Sequence, residues 1–174
     1  MKRLIVPIII TLISSLSLWA SDGELPETES PTAFKIQYMG NVEVGHIFVW
    51  DNFMKNTSGI VTLTTTHGVR VTPYLFTGIG VGAWLTYYSG GFSMFIPIFA
   101  DVRATLPLKG NLRPFVDLKG GRINSYNNFV GPSIGCKYAW GKKAGVYLSF
   151  GTNYIINNNK SQWDGFNVRL GFDF

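Results

Sequence analysis

Few residues in this chain carry chemistry beyond packing. His46 and His67 are its only imidazoles, and Cys136 is its only thiol. His67 follows Thr65 by two positions, and on an extended segment residues two apart share a face. The Thr65 hydroxyl and the His67 ring therefore have the types needed for a nucleophile and its base. No serine or acid accompanies them on that segment, so the orienting third group is missing. A histidine in a structural role is the reading these residues favour. His46 lies too far along the chain to make a metal site with His67 by spacing. Gly78-Ile79-Gly80-Val81-Gly82 has the outline of a phosphate loop, but it alternates strictly and no lysine follows, so it reads as strand. Cys136 is alone, which rules out an intrachain disulfide. It falls on an apolar face, where a thiol is inert. These residues point to no catalytic site, no cofactor site and no metal site.

The elements that would carry them repeat every second residue. From Ala33 onward the chain reads as about eight strands separated by turn signals. The first, Phe34 to Val44, sets Phe34, Ile36, Tyr38, Val42 and Val44 against Lys35, Gln37, Met39, Asn41 and Glu43. His46 to Ser58 is the longest connection. The second strand, Gly59 to Val71, sets Val61, Leu63, Thr65, His67, Val69 and Val71 against Thr62, Thr64, Thr66 and Arg70. Thr72-Pro73 is a tight turn. The third, Tyr74 to Tyr87, alternates Leu75, Ile79, Val81, Ala83, Leu85 and Tyr87 with Phe76, Gly78, Gly80, Gly82, Trp84 and Thr86. After Ser89 to Gly91 a single fourth strand sets Met94 through Leu106 against Phe95, Pro97, Phe99, Asp101 and Arg103.

Pro107 to Asn111 turns the chain into a fifth strand, with Val116 and Leu118 opposite Phe115, Asp117 and Lys119. Asn124 to Asn128 is a loop. The sixth strand opposes Val130, Ile134, Cys136, Tyr138 and Trp140 to Ser133, Gly135 and Lys137, and Gly141 to Lys143 turns. The seventh opposes Val146, Leu148, Phe150, Tyr154 and Ile156 to Tyr147, Ser149, Gly151 and Asn153. Asn157 to Asp164 is a polar loop. The last strand sets Phe166, Val168, Leu170, Phe172 and Phe174 against Asn167, Arg169, Gly171 and Asp173. No segment leaves room for crossover helices, so the sheet is antiparallel. Pro97 and Pro132 interrupt the pattern.

Composition agrees with alternation. Charged residues make up 14% and aromatics 15% of 174 residues, yet no internal run is apolar for long enough to form a membrane helix. Met1 to Ala20 reads as a secretory signal peptide: Lys2 and Arg3, an apolar core from Leu4 to Leu18, and small Ala20 at the cleavage point. Ser21 to Thr32 is a polar, acidic leader with Pro26 and Pro31, expected to be flexible. Without Lys2 and Arg3 the formal charge falls from +5 to thirteen basic against ten acidic residues, a net of +3. That balance, with export, argues against a nucleic-acid partner. One domain is expected for this length.

Alternation fits two opposite proteins, a soluble barrel with its apolar face hidden and a membrane barrel with that face outward. Gly78, Gly80, Gly82, Gly121, Gly135, Gly151 and Gly171 fall on the polar face, and a narrow barrel needs small residues inside. Tyr38, Tyr87, Tyr138, Trp140 and Phe174 fall on the apolar face near strand ends, where they suit interfacial girdles. Together with the signal peptide and a final strand ending in Phe174, the region from Ala33 to Phe174 resembles the small outer-membrane β-barrels of the OmpA/OmpX-like class.

The resemblance implies an all-β, eight-stranded antiparallel up-and-down transmembrane barrel with both termini in the periplasm. It implies outer-membrane lipids and lipopolysaccharide as neighbours, and recognition of Phe174 by the barrel-assembly machinery. Arg122 falls on the lipid-facing parity at the top of the fifth strand, where outer-leaflet phosphates are expected. The expected role is structural or interactive, with a protein partner unspecified. One alternative is a lipid-modifying enzyme, because outer-membrane lipid A deacylases carry a Ser/His arrangement on the lipid-facing wall of a similar barrel. A soluble periplasmic ligand-binding barrel is the third reading. Lys35, Arg70, Arg103, Lys119, Lys137 and Arg169 face inward with Glu43, Asp101, Asp117 and Asp173, as do Phe76, Trp84, Phe95, Phe99 and Phe115. The expected lumen is plugged by paired charges and rings, with surplus cations at its wet ends.

Overall fold

The computed structural model describes residues 36–49, 57–88, 91–108, 110–124, 127–140, 144–157 and 162–174. The signal peptide, the leader, Phe34, Lys35 and the Gly141 to Lys143 turn lie outside the described residues. The described strands are β1 (Gln37–Val49), β2 (Thr57–Thr72), β3 (Leu75–Tyr88), β4 (Gly91–Phe95), β5 (Ile98–Thr105), β6 (Leu112–Arg122), β7 (Asn127–Ala139), β8 (Gly145–Asn157) and β9 (Gln162–Asp173). Every pairing is antiparallel, and β1 pairs with β9, so the sheet closes on itself. The ring has eight positions, because β4 pairs with β3 alone.

The single fourth strand expected from Met94 to Leu106 is therefore two. Pro97 has no N–H for the ladder, and pairing lapses at Ile96 and Pro97. Trp84 opposite Phe95 and Val81 opposite Ile98 keep one register across the gap. The Gly82 amide donates to the Pro97 carbonyl at 3.1 Å, so the strand runs on without a bend in register. Pro132 causes no break. It stays opposite Leu118 with its ring turned outward.

The first strand runs to Val49, past the expected end at Val44. Ile47 and Val49 continue the inward alternation, and Ile47 meets Ile60 across the β1–β2 pair. The connections expected at 46–58, 124–128 and 157–164 are shortened accordingly. The Thr72-Pro73 turn is held by the Thr72 hydroxyl oxygen, which accepts from the Tyr74 and Leu75 amides at 3.2 and 3.0 Å. In the turn between β5 and β6, Gly110 adopts φ +108°, a conformation that excludes most side chains.

The register fixes the shape of the barrel. The pairings run from Gln37 to Arg70, Phe76, Arg103, Asp117, Ser133, Gly151 and Asn167. They return to β1 at Ile47, ten residues beyond the start. With eight strands and usual spacings, that stagger tilts the strands by about 40° and gives a backbone radius of about 8 Å. Such a bore is filled by side chains. The inward face is buried and mixes polar, aromatic and aliphatic side chains. The outward face is apolar, with Ile79 70% and Ile134 65% exposed.

Candidate functional site

Each inward charge arrives by strand parity, and the stagger decides which levels meet across the bore. Glu43 on β1 is the hub. Its Oε2 accepts from Lys119 Nζ at 2.8 Å and from the Thr64 hydroxyl at 3.1 Å, and it lies 3.8 Å from Arg169 Nη1. Its Oε1 accepts from the Tyr147 hydroxyl at 2.6 Å and from Arg103 Nη2 at 3.4 Å. Arg103 also donates to the Tyr147 oxygen at 3.0 Å and to Asp173 at 3.1 Å, and its Nε is 3.6 Å from Asp117. Lys119 bonds Asp101 at 3.0 Å, Arg169 bonds Asp117 at 3.1 Å, and Lys137 bonds Asp173. Ser133 bridges Arg169 and Asp117.

Four carboxylates thus meet four cations, all buried, so this set is neutral. Neutrality matters because an unpaired charge in such a bore costs several kcal/mol, on the order of the desolvation penalty of one ion. The aromatic rings complete the packing. Arg103 lies 4.2 Å from the Tyr147 ring centre and 4.8 Å from that of Phe115. Gly171 and Gly135 leave the space these rings occupy: a Cβ at Gly171 would strike Tyr147, and one at Gly135 would strike Phe115.

A second tier of inward side chains packs at another level of the bore. Ile47, Ile60, Trp84, Phe99, Ile123, Phe129 and Ile155 form one buried apolar cluster, with Val49 and Phe95 packed against it. Trp84 meets Phe129 at 4.9 Å between ring centres.

On the outer wall, aromatic contacts gather at two levels. Near the chain's end, His67, Phe174, Phe172, Trp140 and Tyr138 form a run of neighbouring rings, and Tyr38 joins it beside His67. Near the opposite end, His46, Phe48, Phe166 and Phe150 form another. Tyr38 and Phe48 are ten residues apart on β1, which on a strand tilted by about 40° is about 25 Å along the axis. The two histidines thus sit in different belts, and among the described residues no three metal-ligating side chains cluster.

His67 has Thr65 beside it as the spacing placed it, and a second partner, Tyr38, that its sequence neighbourhood did not reveal. Tyr38 Oη lies 2.6 Å from Nδ1, and Thr65 Oγ1 lies 3.2 Å from Nε2. The Thr65 hydroxyl donates to the Asn41 carbonyl at 3.1 Å. Its single proton is thereby committed to the main chain. Nε2–H then donates to Thr65, and Tyr38 donates to Nδ1. The arrangement satisfies an imidazole on an apolar wall. Cys136 is on the same wall, half-buried.

Phe174 lies on β1 at the seam of the barrel. Gly40 and Phe174 exchange both main-chain hydrogen bonds at 2.9 Å. The Phe174 ring occupies the outward space above Gly40, where any Cβ would strike it, and His67 meets its edge. Arg122 is exposed at the far end of β6, opposite Asn128, on the outward parity.

No family model and no curated protein sequence matches the chain. Among solved structures, the crystal structure of Neisserial surface protein A (NspA) superimposes with a TM-score of 0.61 at 12% identity, covering 80% of this chain and 97% of that one. The N-terminal β-barrel domain of Pseudomonas aeruginosa OprF matches at a TM-score of 0.46 and 15% identity, covering 80% of this chain and all of that domain. The chain has the fold of a small outer-membrane β-barrel of the OmpA/OmpX type. The barrel's inward charges are those that parity selects, and the pairs Asp101–Lys119 and Arg103–Asp117 lie directly across neighbouring strands. The Glu43 hub, the Tyr147 hydroxyl and the isoleucine-rich plug of the barrel are additions from the structure.

Proposed function

We propose that the protein is an outer-membrane barrel of structural or interaction type with a sealed lumen and with both termini in the periplasm. One observation carries this reading: an apolar outer belt about 25 Å tall lies between two aromatic groups, and among the described residues its outward face carries no charge except Arg122 at the rim. That is the height and polarity a transmembrane barrel presents to lipid. The even ring and the tight Thr72-Pro73 turn support periplasmic termini, since short turns lie on that side. Arg122 then stands at the outer rim, where its guanidinium suits lipopolysaccharide phosphates. The neutral charge network and the apolar plug support closure. Planar-bilayer recording of the reconstituted protein tests it: the membrane stays at baseline, and reproducible single-channel steps would refute a sealed lumen.

Phe174 is the residue through which the assembly machinery would recognise the chain. Its ring also fills the gap over Gly40, so deletion acts twice. Deleting Phe174 is expected to lower the folded yield in cells severalfold, while protein refolded in detergent loses less. Equal cellular yields of heat-modifiable protein would remove the recognition role. The lipid-modifying alternative is weaker. The Thr65 hydroxyl donates its hydrogen bond to the Asn41 carbonyl and not to His67, and main-chain amides in a closed ladder are engaged, which leaves no oxyanion donors beside His67.

A further inference from the structure

We propose that the lumen binds one resident water molecule where its two tiers meet, hydrogen-bonded to the Trp84 indole and the Asn167 side-chain amide. A cavity of about 20 Å³ lies there, and one buried water needs about 10–15 Å³ of such space. Its wall belongs to both tiers. Glu43, Lys119 and Arg169 come from the charge network, and Trp84, Phe99 and Phe129 come from the apolar cluster. Trp84 is 5% exposed and Asn167 1%. The Trp84 Nε1–H, the Arg169 Nε–H and both polar atoms of the Asn167 amide hydrogen-bond to no protein group, and all three residues line this cavity. Buried polar groups are paired as a rule, because desolvation without a partner is costly. Several such groups around one cavity of this size point to a shared partner.

The sheet brings these groups to one place. Trp84 is directly opposite Thr62 on the β2–β3 pair. Thr62 and Arg169 converge over Gly45, where a Cβ would lie 2.9 Å from the Thr62 hydroxyl and 2.7 Å from Arg169 Cγ. Asn167 precedes Arg169 by two residues on β9 and so shares its inward face. The wall selects a neutral occupant. Glu43 repels an anion, Lys119 and Arg169 repel a cation, and these three are already matched within the balanced network. A water has two lone pairs and two protons. It accepts from the Trp84 Nε1–H, which has no acceptor capacity of its own, and donates to Asn167 Oδ1. The Arg169 Nε–H suits its second lone pair. The water thereby ties an indole of the apolar tier to the charge network, and the two tiers become one hydrogen-bonded unit.

The site rests on lumen packing alone, whichever solvent meets the outer face. The test is a pair of ¹⁵N-edited NOE and ROE spectra of the barrel in a detergent micelle, labelled at tryptophan, with Trp84→Phe assigning the indole signal. Cross-peaks from water to the Trp84 Nε1–H are expected with opposite signs in the two spectra, as for a water that tumbles with the protein. Asn167→Leu replaces the amide with an apolar group of similar size and should abolish them, and Asn167→Val is the second variant should the first not fold. Heat-modifiable mobility checks folding. Thr62→Val should leave the cross-peaks in place, because they come from water and not from exchange through the neighbouring hydroxyl. Exchanging chloride for sulfate at constant ionic strength should leave the indole shift unmoved. Absence of the cross-peaks from the wild-type barrel would overturn the proposal. So would their persistence in the folded Asn167 variant, their loss in Thr62→Val, or a saturable chloride-dependent shift, which would make the occupant an anion.

Discussion

Glu43→Ala is expected to destabilise the folded barrel by about 3–5 kcal/mol, the range for removing one member of a buried ion network. The substitution leaves Lys119 with Asp101 alone, takes one of three carboxylates from Arg103, and strands the Tyr147 and Thr64 hydroxyls that donate to it. Glu43→Gln keeps the shape and some hydrogen bonds but leaves one net positive charge in a network that was balanced. Its loss should fall between those of wild type and Glu43→Ala. Urea-dependent unfolding in lipid vesicles measures both. A loss under about 1 kcal/mol for Glu43→Ala would mean that water, not the carboxylate, solvates these cations, in the manner of an exposed pair.

Leu118→Arg is expected to cost about 2–4 kcal/mol in a bilayer, the range for a cation at the midplane of a barrel's lipid face. Leu118 is 49% exposed and sits near the middle of the belt, between Val102 and Pro132 on the flanking strands. In a soluble barrel an arginine at so open a position would be nearly neutral, so the two readings of the outward face diverge sharply here. Arg122, only four residues along the same strand and on the same face, is native at the rim. The contrast isolates depth as the variable. Comparing Leu118→Arg with Leu118→Ala by the same unfolding measurement separates the charge from lost side-chain volume.

The pattern of two faces was legible because a strand's period is two, whatever it pairs with. Tyr38, Ile79, Val102, Leu118, Ile134, Leu148 and Leu170 are outward where alternation assigns them, and Glu43, Asp101, Arg103, Asp117 and Arg169 are inward. What alternation cannot supply is level. Which inward residues meet across the bore depends on a stagger of ten residues, and nothing in a single strand encodes it. Glu43 could be named as an inward acid but not as the hub, since Lys119, Arg169 and Tyr147 reach it from distant strands. The plug was missed for a related reason. Ile47 and Ile123 were read within or beside loops: Ile47 is carried inward by the extra pairs that lengthen β1, and Ile123 lies just past β6, where its amide donates to the Asn127 carbonyl. Pro97 was recognised as an interruption, but its effect is a gap in the ladder with the register intact, because Gly82 still finds its carbonyl. His67 was read with Thr65 alone because its closer partner, Tyr38, is on another strand.

In the membrane reading the apolar face meets lipid. Expression of the full chain in a Gram-negative host, followed by membrane fractionation and gel electrophoresis with and without boiling, tests it most directly. The protein is expected to sediment with the outer membrane, to need detergent for extraction, and to migrate differently before and after boiling. Recovery of folded protein in the detergent-free soluble periplasmic fraction, with one mobility at either temperature, would contradict it.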